Sequence, residues 1–379
     1  MTRNTLGVRK SFLAIDWILV TALIPILGAG LVTMNAFTGD SLLFDRQIAW
    51  IGVSFILFFL LSFVDFRFIR RTRVVVGLFA VSVLVLIFLL ILAKATKGSR
   101  SWFDFGLFSL EPADPVKLIL ILILAKYFSR RHIEIAHVRH ILVSGFYAFV
   151  FFALVILQPD FGSAIIIFLV WLGMVFVSGI SKKHLAIVFF IGALAFSGLW
   201  LYAFKDYQKQ RIINFIHPLS DIRGTGYNAY QSTIAVGSGE ILGKGLGFGT
   251  QSRLKFLPEY ETDFIFAAFA EEWGFVGVLM LFCLYGVLIW RILLHAMRGA
   301  TNFEMLFGLG IFILFTSHFF INIGMNIGLL PVTGITLPFM SYGGTHLVTE
   351  FAGLGILMGM SRYRRSAHKD LSKNELPGV

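Results

Sequence analysis

Charge is what this chain is short of. Only 14% of its 379 residues are Asp, Glu, Lys or Arg, against 57% hydrophobic and 16% aromatic. Soluble domains carry about 25% charged residues, so the polar surface needed for a water-facing fold is missing. Cysteine is nearly absent too. The single Cys283 lies in an apolar run, which excludes an internal disulfide and any cysteine-built metal cluster. The nine histidines show no HExxH or comparable spacing, so no histidine-built metal site is expected. Walker spacing is lacking, and the glycine-rich GSGEILGKGLGFG is only loosely like a phosphate cradle. The opening MTRNTLGVRKS has no short h-region with a small-residue cleavage site after it, so it reads as leading into a retained span. No fixed-period repeat is present.

What the chain does have is long, continuous apolar runs, at about 12–35, 47–66, 74–94, 115–128, 140–158, 162–180, 184–204, 263–290, 304–328 and 343–361. Apolar runs of roughly 17–25 residues close their own backbone hydrogen bonds as membrane helices, whereas barrel strands alternate over about ten residues. The expected fold is therefore all-α: one polytopic membrane domain over 1–379, with about ten transmembrane helices and one large extracytoplasmic loop. The net charge of +11 does not imply a nucleic-acid partner, because Lys and Arg cluster at the ends of apolar runs.

With ten spans and the N-terminus inside, 20 of the 32 Lys and Arg residues fall inside and 12 outside. Seven of those 12 sit in one loop, about 205–262, and long loops count least in the positive-inside rule. Both termini, the short tails 1–11 and 362–379, are thus expected in the cytoplasm of a bacterial cell, with the chain in its plasma (inner) membrane. The loop is expected outside. At about 58 residues it exceeds what a passive connector needs, and it suits a short amphipathic helix near Tyr230–Val236 with tight turns.

A charged side chain in lipid is costly unless paired or facing a wet cavity, so each one marks a candidate site. Four groups stand at the external ends of spans: Glu111-Pro-Ala-Asp114-Pro-Val-Lys117, Gln158-Pro159-Asp160, Glu259 with Glu261 and Asp263, and Gly334–Pro338 with Ser341–Gly344. Plainer readings stand beside each. Asp114 and Lys117, three apart, have the spacing of an intrahelical ion pair. Asp160 and Asp263 are each placed to cap a helix. Glu271 and Glu272 lie deeper and would need a basic neighbour.

The strings QSTIAVGSGEILGKGLGFGTQSRLKFLPEYETDFIFAAFAEEWGFVG (231–277) and NIGMNIGLLPVTGITLPFMSYGG (322–344) resemble the SEDS family (shape, elongation, division and sporulation). QPDFGSA (158–164) and SWFDFGLFSLEPADPVK (101–117) agree, so the resemblance covers essentially the whole chain. The compact length and the RQIAW opening of the second span look more like the elongation branch than the division branch. The resemblance implies a peptidoglycan glycosyltransferase that polymerises lipid II outside the membrane and releases undecaprenyl pyrophosphate. It also implies a class B penicillin-binding protein, a transpeptidase, as partner. By motif it makes Asp263 the essential carboxylate and Lys117, with Asp114, a substrate-binding position on the fourth span. Arg211, Gln231, Ser232, Lys244 and Gln251 match polar positions of the loop, and Asp160 lies in a further motif. There are departures. The family commonly has QPSE where this chain has Glu111-Pro-Ala-Asp114, Glu240 replaces a common glycine, and His346 stands where a small Ser-like residue is usual.

Making a β-1,4 bond from an α-linked sugar pyrophosphate needs a base for the acceptor hydroxyl and positive charge for the leaving group. Asp263 at the membrane boundary suits the first role. Lys117, Arg211 and Lys244 suit the second, as does a divalent cation (Mg or Mn) held by Asp263 and another carboxylate. A lipid II flippase would share the topology and the need for charges, and a scaffold for the transpeptidase is a third class. Against a flippase stand the external clustering and the lack of an inverted repeat. A scaffold would not need paired carboxylates and cations.

Overall fold

In a computed structural model of the chain, residues 15–37, 41–93, 101–106, 109–129, 138–204, 206–217 and 226–374 are described. The first seven apolar windows carry α1 (Trp17–Phe37), α2 (Ser41–Ser62), α3 (Thr72–Leu92), α4 (Ala113–Ser129), α5 (Val138–Leu157), α6 (Phe161–Val177) and α7 (Lys182–Gly198). The long loop follows with α8 (Asp206–Ile216) and α9 (Tyr227–Ser238), where the amphipathic helix was expected. The last three windows carry α10 (Ile265–Met297), α11 (Asn302–Asn326) and α12 (Gly344–Asn374). Among the described residues, six helices (α1, α2, α3, α5, α10 and α11) are long and apolar enough to cross a membrane. The tail 1–11 lies outside the described residues, whereas the stretch from 362 continues α12 as far as Asn374.

The surface is built for an apolar solvent. Ile91 is 72% exposed, Leu84 64% and Phe149 61%, while Asp114, Lys117, Glu271 and Glu350 are buried. Water would punish that arrangement; lipid rewards it, because only the interior can then satisfy polar groups. Helix α11 is buried along most of its length and packs on α4, α6 and α10, while α12 lies along α2. Its start is fixed locally: Thr301 Oγ1 accepts from Glu304 N (3.4 Å), and Glu304 Oε2 accepts from Ala300 N (3.0 Å). At the end of the bundle away from the loop, Asp16 caps α1 and its Oδ2 accepts from Arg291 Nε (2.7 Å) and His295 Nε2 (2.8 Å) on α10.

The glycine-rich loop has a structural job. Helix α10 is interrupted at Gly274, whose φ of 63° leaves the helical region. The freed N–H groups of Phe275 and Val276 donate to Glu240 O (2.9 Å) and Ile241 O (3.1 Å). In return, Lys244 N and Gly245 N donate to Glu271 O and Glu272 O, both at 3.0 Å. Residues 240–245 thereby dock into the break and replace the missing helical bonds. A Cβ on Gly274 would lie 2.2 Å from Gly243 N, and one on Gly243 would lie 2.0 Å from Glu272 O, so both positions exclude a side chain. The loop is a strut against α10 rather than a cradle for phosphate.

Candidate active site

Asp263 sits at the junction of the long loop and α10, half-buried. Three consecutive carbonyls hold this junction. Glu261 O accepts from Tyr342 N (2.8 Å), Thr262 O from Ser341 Oγ (2.6 Å), and Asp263 O from Asn322 Nδ2 (3.0 Å) and Asn326 Nδ2 (3.1 Å). The helix that follows has Phe264 at its N-cap position, so Asp263 stands one residue ahead of the cap. The carboxylate lies beside Gly334, where a Cβ would be 3.5 Å from Asp263 Oδ2. Two residues earlier, burial pushes the Glu261 carboxyl up, against a hydrogen bond from Tyr260 that lowers it.

The second group lies inside the bundle. Lys117 Nζ donates to Asp114 Oδ1 at 2.9 Å, and both side chains are buried. From α12, His346 Nδ1 faces the same Asp114 oxygen at 3.2 Å, and its Nε2 lies 2.8 Å from Glu350 Oε1. Glu350 Oε2 in turn accepts from Phe339 N (2.9 Å), fixing the turn ahead of α12, where Phe339 has a φ of 62°. Gln47, the glutamine of RQIAW, holds that turn from α2 through Ser341 O (3.2 Å) and Gly343 N (3.4 Å). Glu111, just before α4, is half-buried. Burial pushes its carboxyl well above the usual carboxylate range, and the charges of Asp114 and Asp160 add to the shift.

The segment 334–336 joins the two groups. Gly334 flanks Asp263, Asn322 Nδ2 donates to Ile335 O (2.7 Å), and His318 Nδ1 donates to Thr336 O (3.4 Å). The His318 ring then lies 5.0 Å from that of His346. The backbone of 334–336 thus links the Asp263 junction, through Asn322 and His318, to the His346 side of the Asp114–Lys117 group.

The other expected site residues are placed as follows. Ser232 is completely buried on α9, donating to Asn326 O (2.9 Å) and Oδ1 (3.1 Å), so it supports Asp263 at one remove. Lys244 Nζ pairs with Glu271 Oε1 at 2.7 Å, which supplies the basic neighbour that Glu271 needs. Gln251 donates its backbone N–H to the same carboxylate (3.1 Å). Asp160 caps α6, accepting from Ser163 N at 3.0 Å, as its plainer reading had it. Gln231 is half-buried on α9 and Arg211 half-buried on α8, a separate element from the bundle helices. Sequence reasoning missed Glu350, His318, Asn322 and Asn326. Their signal was available: His318, Asn322 and Asn326 recur every four residues along an apolar helix, as do His346 and Glu350.

Fold and site together define a polytopic membrane protein with a buried charged centre beneath a structured loop. The family described as "cell cycle protein", that of FtsW, RodA and SpoVE, matches residues 9–366. The chain is 34% identical over 347 residues to the peptidoglycan glycosyltransferase MrdB of Escherichia coli, covering 90% of this chain and 92% of that protein. It is 36% identical to the stage V sporulation protein E of Bacillus subtilis, covering 92% and 95%. Among solved structures it is similar to a chain of a peptidoglycan synthase complex that coordinates polymerization and crosslinking (TM-score 0.79, 31% identity, 92% and 98% covered). It is also similar to the Rod shape determining protein RodA of Thermus thermophilus (TM-score 0.69, 30% identity, 92% and 97% covered). The chain belongs to the FtsW/RodA/SpoVE family.

Proposed function

We infer that the protein polymerises lipid II, with Asp263 as the catalytic carboxylate. Its enzyme class is that of its relatives: it is a peptidoglycan glycosyltransferase, on the side of cell elongation and shape. The observation that carries the role of Asp263 is a junction pinned at three successive backbone carbonyls, with the half-buried carboxylate beside Gly334. Such a preorganised acceptor at a loop–membrane boundary fits a general base. In the reaction the acceptor 4-hydroxyl oxygen attacks C1 of the donor sugar and its proton passes to Asp263. The bond from C1 to the pyrophosphate oxygen breaks, inverting the centre and releasing undecaprenyl pyrophosphate. Lys117, with Asp114 beside it, offsets the charge that develops on the leaving group, and Arg211 adds to it. Gln231 is a further contact to substrate. Lys244, Gln251, Ser232 and Asp160 act by holding the loop and α6 in place.

Among the described residues no group of three or more His, Cys, Asp or Glu side chains could hold a metal ion. Mg²⁺ is usually bound by one or two carboxylates plus substrate phosphates, so a Mg or Mn ion at Asp263 would be shared with the pyrophosphate. The sidedness follows the basic residues: inner membrane, both termini cytoplasmic, loop outside. An impermeant thiol reagent on intact cells should label a cysteine placed at Lys244 and not one at Arg71; the reverse pattern overturns this orientation. A class B penicillin-binding protein is the partner this reading expects.

The functional test is glycan synthesis from lipid II in detergent, where no sidedness exists, with the cognate transpeptidase present. Product chains support the polymerase. No product there, together with lipid II translocation in liposomes, replaces it with a flippase.

A further inference from the structure

Buried Glu350 and the largely enclosed His346 are titratable groups that the reaction above does not use. They stand one helical turn apart on α12, and they close a four-member chain with Asp114 and Lys117 on α4. Asp114, Lys117 and Glu350 are buried, and the His346 side chain is 11% exposed. Asp114 Oδ1 is the shared point, with Lys117 Nζ at 2.9 Å on one side and His346 Nδ1 at 3.2 Å on the other. His346 is itself held from behind by Glu350, and Glu350 is fixed by the Phe339 backbone. The His318 ring packs 5.0 Å away and limits where the imidazole can turn.

Two features of the chain meet at this point. Asp114 is one methylene shorter than a glutamate would be at the same position, so its carboxylate reaches less far from α4. His346 is larger than a serine, and it extends from α12 to the carboxylate that Asp114 presents. The imidazole gives the Asp114 carboxylate a second partner besides Lys117. An acid gripped from one side only could swing off the lysine; one gripped from both sides cannot.

Resting on the polymerase reading, we propose that His346, backed by Glu350, is a positioning residue: it clamps Asp114 so that the Lys117 ammonium stays aimed at the departing pyrophosphate. The residue acts through Asp114 and touches no substrate. Its removal therefore affects the transition state, where the leaving-group charge develops, more than substrate binding.

The test compares wild type with His346→Ser, Glu350→Gln and the double variant Asp114→Glu/His346→Ser. Each is assayed with lipid II in detergent alongside the transpeptidase, and rates are taken per folded, monodisperse molecule. His346→Ser should lower kcat about tenfold to a hundredfold, with KM changed less than about twofold, as a misplaced catalytic group does. The double variant should recover most of that loss, because the longer acid reaches Lys117 without the clamp. Glu350→Gln, of the same size and shape, should lower kcat several-fold. If His346→Ser does not fold, Glu350→Gln decides, and a wild-type kcat in that variant overturns the proposal. So does a double variant no better than His346→Ser, or a loss of thermal stability with kcat unchanged, which marks a merely structural contact. A wild type that makes no glycan removes the functional reading and this one with it; a working wild type with unaffected variants removes this one alone.

Discussion

Asp114–Lys117 and Glu271–Lys244 are both carboxylate–ammonium pairs, at 2.9 and 2.7 Å, and they differ in what surrounds them. In the first, both side chains are 5% exposed and the acid is shared with His346. In the second the lysine is 29% exposed. There the acid also accepts from Thr250 Oγ1 (3.1 Å) and Gln251 N (3.1 Å), so it gathers the loop onto α10. A buried pair that loses one partner leaves an uncompensated charge, whereas an acid with several donors tolerates the loss of one. On the proposed reading, the first pair serves the chemistry and the second the architecture.

Lys117→Ala should break that distinction most severely if it is wrong. With Asp114 left buried, glycan synthesis should fall at least about a hundredfold, the scale of losing one donor to a developing oxyanion. The protein should still insert in the membrane; near-normal turnover would make the pair structural. Lys244→Ala sharpens the other side. It should cost about 1 kcal/mol of stability, read as a small drop in Tm, with synthesis reduced only modestly. Lost synthesis at unchanged Tm would instead return Lys244 to the substrate-contacting role that the family resemblance implies.

The smallest effect concerns Glu240. Its φ of 48° lies in the left-handed region, which explains why glycine is common there, and its side chain is exposed. Its carbonyl still serves Phe275 N whatever side chain is present. Glu240→Gly should therefore raise stability by about 1 kcal/mol and leave synthesis unchanged. A lower Tm would mean that the side chain contributes more than the strain takes away.

The bundle helices were legible because each follows a long apolar run; among the described residues each of the ten windows carries a helix, and six of these helices are long and apolar enough to cross a membrane. Asp114 and Lys117 were legible because charge in an apolar helix is conspicuous. The break at Gly274 was not. The sequence around it, AEEWGFVG, reads as continuous helix, and only docking of 240–245, some thirty residues earlier, supplies the replacement hydrogen bonds. His346 was noticed as a departure without its partners, since no local pattern says that α12 packs across α4. The spacing of Asn322 and Asn326 was visible, but not what they hold: the backbone of Asp263, about sixty residues away, is an acceptor with no signature in sequence.

The central claim concerns the other junction, where the loop meets α10. Asp263→Asn keeps the size and shape of the side chain and removes its negative charge and basicity. The measurement is glycan synthesis from lipid II in detergent with the transpeptidase bound, wild type against Asp263→Asn. Wild type should make glycan and the variant should lose about a hundredfold to ten-thousandfold in rate, the range for a missing general base, with insertion and transpeptidase binding intact. An Asp263→Asn protein that polymerises lipid II at the wild-type rate would contradict the account.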